Sequence, residues 1–168
     1  DLNIRMFNRL QHTITGWPGG KPKADDTNRP ERATPEKKRV IIFSPHPDDD
    51  VISMGGTFDR LVSQGHEVHV AYQTSGNIAV TDTEALKFAE VLSRVSPSEK
   101  VEELIKAISS KPESAIDSLE VRKLKGSIRR GESFAATRYL GLSDTNVHFL
   151  DLPFYETGTV KKNNLTQD

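Results

Sequence analysis

At 168 residues the chain is long enough for one domain of ordinary size with a real core. Its 23 Lys and Arg balance 24 Asp and Glu, a net charge of −1 with both signs mixed, so it carries no nucleic-acid or membrane-surface footprint. Without cysteine there are no disulfides or thiolate metal sites, and any metal must be held by nitrogen and oxygen.

No run of about 18 apolar residues is present to cross a membrane, and the first residues lack the basic-then-apolar layout of a signal peptide. A cytoplasmic location is therefore the expectation. Residues 1–16 place Leu2, Ile4, Met6, Phe7, Leu10 and Ile14 at the spacing of a short amphipathic helix that must lie against something. From Gly16 to Lys38 the composition changes to Trp17-Pro18-Gly19-Gly20, then Pro22, Pro30 and Pro35 among charges, the signature of an extended linker. His12 and Trp17 in this arm read as packing residues.

Val40-Ile41-Ile42-Phe43 is an unbroken apolar run and predicts a buried strand. It runs into Ser44-Pro45-His46-Pro47-Asp48-Asp49-Asp50, which sets one imidazole and three carboxylates at the carboxyl end of that strand, the edge where open α/β sheets bind ligands. Adjacent carboxylates repel and need a compensating positive charge, either a helix N-terminus or a cation. A divalent metal suits them: His-x-x-Asp offers one nitrogen and one oxygen ligand, with Asp48 between them to face a water. The alternative is that Asp48 to Asp50 merely cap the next helix.

The strand, Pro45-His46-Pro47-Asp48-Asp49-Asp50 and the following Gly55-Gly56-Thr57 together resemble the PIG-L/LmbE family of zinc-dependent deacetylases, which act on N-acetylglucosamine-type amides. The family motif usually ends in Glu where Asp50 stands. The resemblance implies that His46 and Asp49 bind Zn2+, or another divalent metal, and that Asp48 is the general base. It implies a third ligand, a histidine well downstream and often in a His-x-x-His context, and no such pattern follows residue 57. The arm and linker are similar to the junction in bacterial chains where a glucosamine-6-phosphate deaminase module precedes a PIG-L-like module. Residues 1–38 are accordingly expected to be the end of a preceding module, and residues 39–168 a deacetylase domain that is incomplete at its C-terminal side.

Beyond the motif, Ile52, Phe58, Leu61 and Val62 share a helical face that Gly65 ends, and Glu67 to Thr74 form a second strand. Strand, helix and strand over about 35 residues make a βαβ unit with parallel strands. The Thr74 to Asn77 turn then opens on the same edge as His46, where its polar groups either hold sugar oxygens or simply make the turn. His66 and His69 flank the second strand, away from that edge.

Asp82 is a plausible cap for a helix carrying Leu86, Phe88, Val91, Leu92 and Val95. Ser96-Pro97-Ser98-Glu99 reads as a capping box with proline at the first helical position, opening a helix that ends at Lys111-Pro112. A third helix runs from about Asp117 to Leu140, with Gly126 and Gly131 inside it. Its Arg129-Arg130-Gly131-Glu132 is similar to the family's Arg-x-x-Glu segment, which implies that Arg129 contacts substrate and Glu132 orients it; the bare alternative is an i,i+3 ion pair on a solvated face. Asn146 to Leu152 are a third strand. His148 lies early in it, Asp151 nearer the active edge, and the tail from Gly158 to Asp168 is polar and without pattern.

These elements predict a Rossmann-like parallel α/β/α sheet of which the chain holds the first half. The first strand, usually central, would then be an unprotected apolar edge. The remaining half is expected from the same polypeptide or a second chain. The expected activity is metal-dependent hydrolysis of the N-acetyl amide of a small amino sugar, with no nucleic-acid or membrane partner, and it is compatible with a homo-oligomer. A catalytically inactive sugar-binding or assembly module attached to a glucosamine-6-phosphate deaminase is the alternative. A nucleotide-binding half-Rossmann domain is disfavoured, because His-Pro-Asp-Asp-Asp replaces the glycine-rich turn and would repel a pyrophosphate.

Overall fold

Apolar β-branched residues and two turn glycines build the sheet. In the computed structural model, which describes residues 1–3, 37–112, 115–154 and 156–158, the strands are β1 (Arg39–Ser44), β2 (Glu67–Tyr72) and β3 (Val147–Phe149). They form one parallel sheet in the order β1-β2-β3, with helices between them, in the Rossmann-like α/β class. The proposed arm helix and linker, His12, Trp17, and nearly all of the polar tail lie outside the described residues.

The chain divides into two compact units. One takes in the described residues of 1–44 with 48–71 and 136–148; the other takes in 45–47, 72–135 and the described residues of 149–168. In the first unit, β1 leads through the single turn α1 (Asp49–Ile52) and α2 (Gly55–Ser63) to β2. Phe58 and Leu61, three apart on α2, are fully buried, as are Ile42 of β1 and Val68 and Val70 of β2. Gly65 ends α2 at φ 72, a left-handed position that only glycine adopts without strain, and its N–H donates to the Val62 carbonyl.

The strand expected to be buried, and to form an apolar edge in this chain, is covered on one face among the described residues. Burial alternates along it: Ile42 and Ser44 are inside, whereas Ile41 is 52% and Phe43 57% exposed. A strand reads as apolar throughout when both of its faces are to be covered. Here one face is, and β1 lies at the edge of the sheet, as anticipated for a first strand without its outer neighbours.

In the second unit, α3 (Asp82–Val95), α4 (Glu99–Ser109) and most of α5 (Leu119–Tyr139) enclose a core of Val80, Ala85, Ala89, Ile108, Val121 and Ile128. Two caps differ from expectation. Thr81, not Asp82, caps α3 by accepting from the Glu84 N–H at 3.1 Å, and Ser98 caps α4 by accepting from Val101, so Pro97 stands outside the helix. Asp82 is occupied elsewhere: with Asp117 it receives the Lys111 and Lys125 ammonium groups, Lys125 lying 2.6 Å from Asp82 and 2.8 Å from Asp117. The third strand is shorter than expected at both ends: Asn146 falls in the 3-10 turn Asp144–Asn146, and the strand stops at Phe149. Its ladder nevertheless continues, with Leu150 and Leu152 N–H groups donating to the carbonyls of Tyr72 and Gln73.

Candidate active site

The three consecutive carboxylates do different things. Asp50 is 1% exposed and bound to the end of β1: Ser44 Oγ donates to its Oδ1 at 3.2 Å, and its own N–H donates to Ser44 Oγ at 3.0 Å. That pairing fixes the turn out of the strand. Asp48 occupies the N-cap position of α1, yet its side chain makes no capping hydrogen bond, and both Asp48 and Asp49 are half-buried. Asp49 and Asp50 lie in the first turn of α1, as the capping alternative has it, while Asp48 at the N-cap position makes no side-chain cap bond.

His46 stands exposed between two prolines. Proline has no N–H, so such a segment is anchored through its carbonyls, and both are taken. The Pro45 carbonyl accepts from Thr74 Oγ1 at 2.8 Å and from the Thr74 N–H at 3.2 Å. The Pro47 carbonyl accepts from Arg129 Nη2 at 3.3 Å and Ser133 Oγ at 3.5 Å. Gly76, at φ 64, completes the fit, since a Cβ there would stand 2.6 Å from Pro47 Cδ. His46 is thus gripped on both sides by the loop after β2 and by α5.

Arg129 makes the i,i+3 ion pair of its simpler reading and also reaches the motif. Its Nη1 pairs with Glu132 Oε2 at 2.5 Å, one helical turn on, while Nη2 reaches the carbonyl next to His46. The Thr74 to Asn77 groups are engaged in the turn: Ser75 Oγ donates to Asn77 Oδ1 at 2.7 Å, and Asn77 Nδ2 donates to the Glu156 carbonyl at 2.9 Å. That favours the turn-making reading of these side chains.

Each of the other described histidines has a partner of its own. His66 is buried, its Nδ1 accepting from the Lys38 N–H at 3.1 Å, and burial together with the charges of Lys38 and Lys37 holds its pKa below the usual imidazole value. His69 and His148 stack across β2 and β3, with ring centroids 5.3 Å apart and Nδ1 to Nε2 at 3.0 Å. Asp151 pairs with Arg130, whose guanidinium also lies 4.8 Å over the Phe149 ring. Sequence reasoning missed both pairings. Only a cross-strand register would have revealed the first, and the left-handed backbone of Asp151, φ 47, carries no sequence signal for the second.

For a metal, the donors fit in kind and fall short in number. His46 and the acidic run supply nitrogen and oxygen ligands of the sort zinc accepts, but a catalytic zinc takes three protein ligands. Among the described residues no group of three or more His, Asp or Glu is placed to hold an ion.

A relative from Bacteroides thetaiotaomicron, a "Putative glucosamine-6-phosphate deaminase-like protein", is 55% identical over 99% of this chain and 27% of its own length. A diacetylchitobiose deacetylase from Thermococcus kodakarensis is 32% identical over 40% of this chain and 26% of its own. The chain thus spans about a quarter of the length of these curated relatives. No solved structure matches it. The family model for GlcNAc-PI de-N-acetylase matches residues 41–168, from within β1 through the acidic turn and α5 to the last residue, and on that match the chain belongs to the PIG-L family of deacetylases.

Proposed function

We propose that the protein containing this chain hydrolyses the N-acetyl amide of an N-acetylglucosamine-type sugar, with a divalent metal, zinc by preference, as cofactor. Family membership supports the reaction class, and the match of Pro45-His46-Pro47-Asp48-Asp49-Asp50 to the family motif, within the matched residues 41–168, carries the assignment of Asp48 as base. Asp48 accepts the proton of the attacking water. Arg129 orients the sugar, its planar fork suited to two oxygens at once. His46 and Asp49, three positions apart in the chain, contribute two metal ligands, and a residue beyond this sequence contributes the third. When bound, the dication supplies Lewis acidity toward the amide carbonyl.

In this reading residues 39–168 belong to the deacetylase domain, and residues 1–38 join it to a preceding module. The remaining strands come from the same polypeptide or a second chain, and the reaction is cytoplasmic. Acetate release from N-acetylglucosamine derivatives by the full-length protein tests the base. Asp48→Ala is expected to lower the rate by about 10²- to 10⁴-fold, the usual contribution of a positioned base; an unchanged rate would dispose of the assignment.

A second reading rests on one specific observation, that no three-donor group exists among the described residues. The module then binds sugar or assembles with its neighbouring module without turnover. It predicts sugar binding with no acetate released under any metal supplementation.

A further inference from the structure

One face of α5 looks into a cleft of about 470 Å³, within the size range of small-molecule sites and far larger than a lone ion needs. Arg122, Gly126 and Arg130 stand four residues apart along that face, with Lys123 beside them, so three cations line one wall. Across from them stand the Ser75–Asn77 turn and two carboxylates, Asp151 and Glu156. The charges do not cancel. Arg130 pairs with Asp151, and Arg122 Nη1 reaches Glu156 Oε2 at a long 3.4 Å. The Arg122 and Arg130 side chains are 23% and 40% exposed, so neither ion pair closes its guanidinium to a further acceptor. Lys123 is exposed at the rim and adds the surplus positive charge.

We infer that this cleft holds the phosphate of a sugar-sized phosphate monoester. A tetrahedral dianion takes further hydrogen bonds from the exposed parts of the Arg122 and Arg130 guanidiniums and draws in the Lys123 ammonium, and charge-assisted bonds of this kind are the strong ones. The same Ser75–Asn77 turn that lines the cleft carries Gly76, which stands against Pro47, the residue after His46. Identifying the ligand as an acetylated hexosamine phosphate rests on the proposed function; the anion site does not.

Calorimetric titration of the full-length protein with N-acetylglucosamine 6-phosphate, N-acetylglucosamine and inorganic phosphate tests this, run on wild type, Lys123→Ala and Arg122→Gln. Lys123 is exposed, so its variant folds even if the Arg122 variant does not. Lys123→Ala is expected to weaken the phosphorylated sugar about tenfold, the ordinary worth of one charged hydrogen bond, and to leave the unphosphorylated sugar unchanged. Inorganic phosphate binding as tightly as the sugar phosphate, with the same loss in the variant, would support the anion site and assign it to free phosphate. Wild-type affinity of both variants for both phosphates would overturn the inference. Acetate release measured in parallel separates the readings: the expected binding pattern with no acetate released sinks the deacetylase reading and leaves the cleft standing.

Discussion

Asp50 and Asp48 show how neighbouring residues of one type acquire different roles from where the backbone puts them. Asp50 lies one helical position inside α1, where its carboxylate turns back to the buried Ser44 hydroxyl at the end of β1. Removing it takes away a buried hydrogen bond of the Ser44 hydroxyl, which costs about 1–3 kcal/mol. Asp50→Ala is therefore expected to lower unfolding stability by that amount in urea titration. Asp48→Ala is expected to stay near wild-type stability while losing turnover, and equal stability of the two variants would contradict the division of roles. The motif residues were legible in the sequence because chemistry-bearing side chains at the end of an apolar run announce an edge. What was not legible is which carboxylate faces inward, since three identical residue types in a row carry no signal of direction.

At the scale of elements, four charges hold the second unit's helices together. Lys111 and Lys125 bridge Asp82 at the start of α3 to Asp117 just before α5, and Lys125 is almost wholly buried. Burial pushes the Asp82 and Asp117 carboxyls up, but hydrogen bonds and charge from both lysines outweigh it and hold them below the usual range. Their folded values being depressed, the stability they confer is present above the unfolded carboxylate pKa, near 4, and is lost as pH falls through the folded values. Unfolding midpoints should fall with acid below about pH 4 in wild type. Lys125→Met, which leaves Asp117 with one cation where it had two, should cost about 3 kcal/mol at neutral pH and flatten that acid dependence. A midpoint insensitive to the substitution would remove the network from the account. This cluster was invisible to sequence reading, which assigned Asp82 to a cap. Thr81 takes that task because its hydroxyl meets the Glu84 N–H, and no periodicity in the sequence distinguishes the two positions. The helices themselves were readable from their apolar spacing, with α5 observed at Leu119–Tyr139 against an expected 117–140.

At the scale of the whole molecule, the exposed side of β1 is the clearest sign of how the chain fits a larger assembly. Ile41 and Phe43 alternate with buried residues and stand at the sheet edge, an arrangement that soluble proteins ordinarily cover or charge. If helices of the remaining part of the domain cover this face in the full-length protein, Phe43 becomes a core residue there. Phe43→Ala should then destabilise the full-length protein by about 3–5 kcal/mol, read by denaturant unfolding. A change within about 0.5 kcal/mol, ordinary for a surface position, would mean the face stays open. The fold class and the β1 edge position were both expected from βαβ spacing. The alternating burial of β1 was not, because a run of β-branched residues records the finished environment of a strand and not the part of it that one segment supplies.

Metal content tests the proposed site most directly. The full-length protein, purified without chelator and analysed for bound metal, is predicted to carry about one zinc per chain, since His46 and Asp49 are taken as ligands of a single ion. His46→Ala and Asp49→Ala variants, folded to wild-type extent by circular dichroism, are predicted to carry little or none. Undiminished zinc in both variants, or none in the active wild type, would contradict the account.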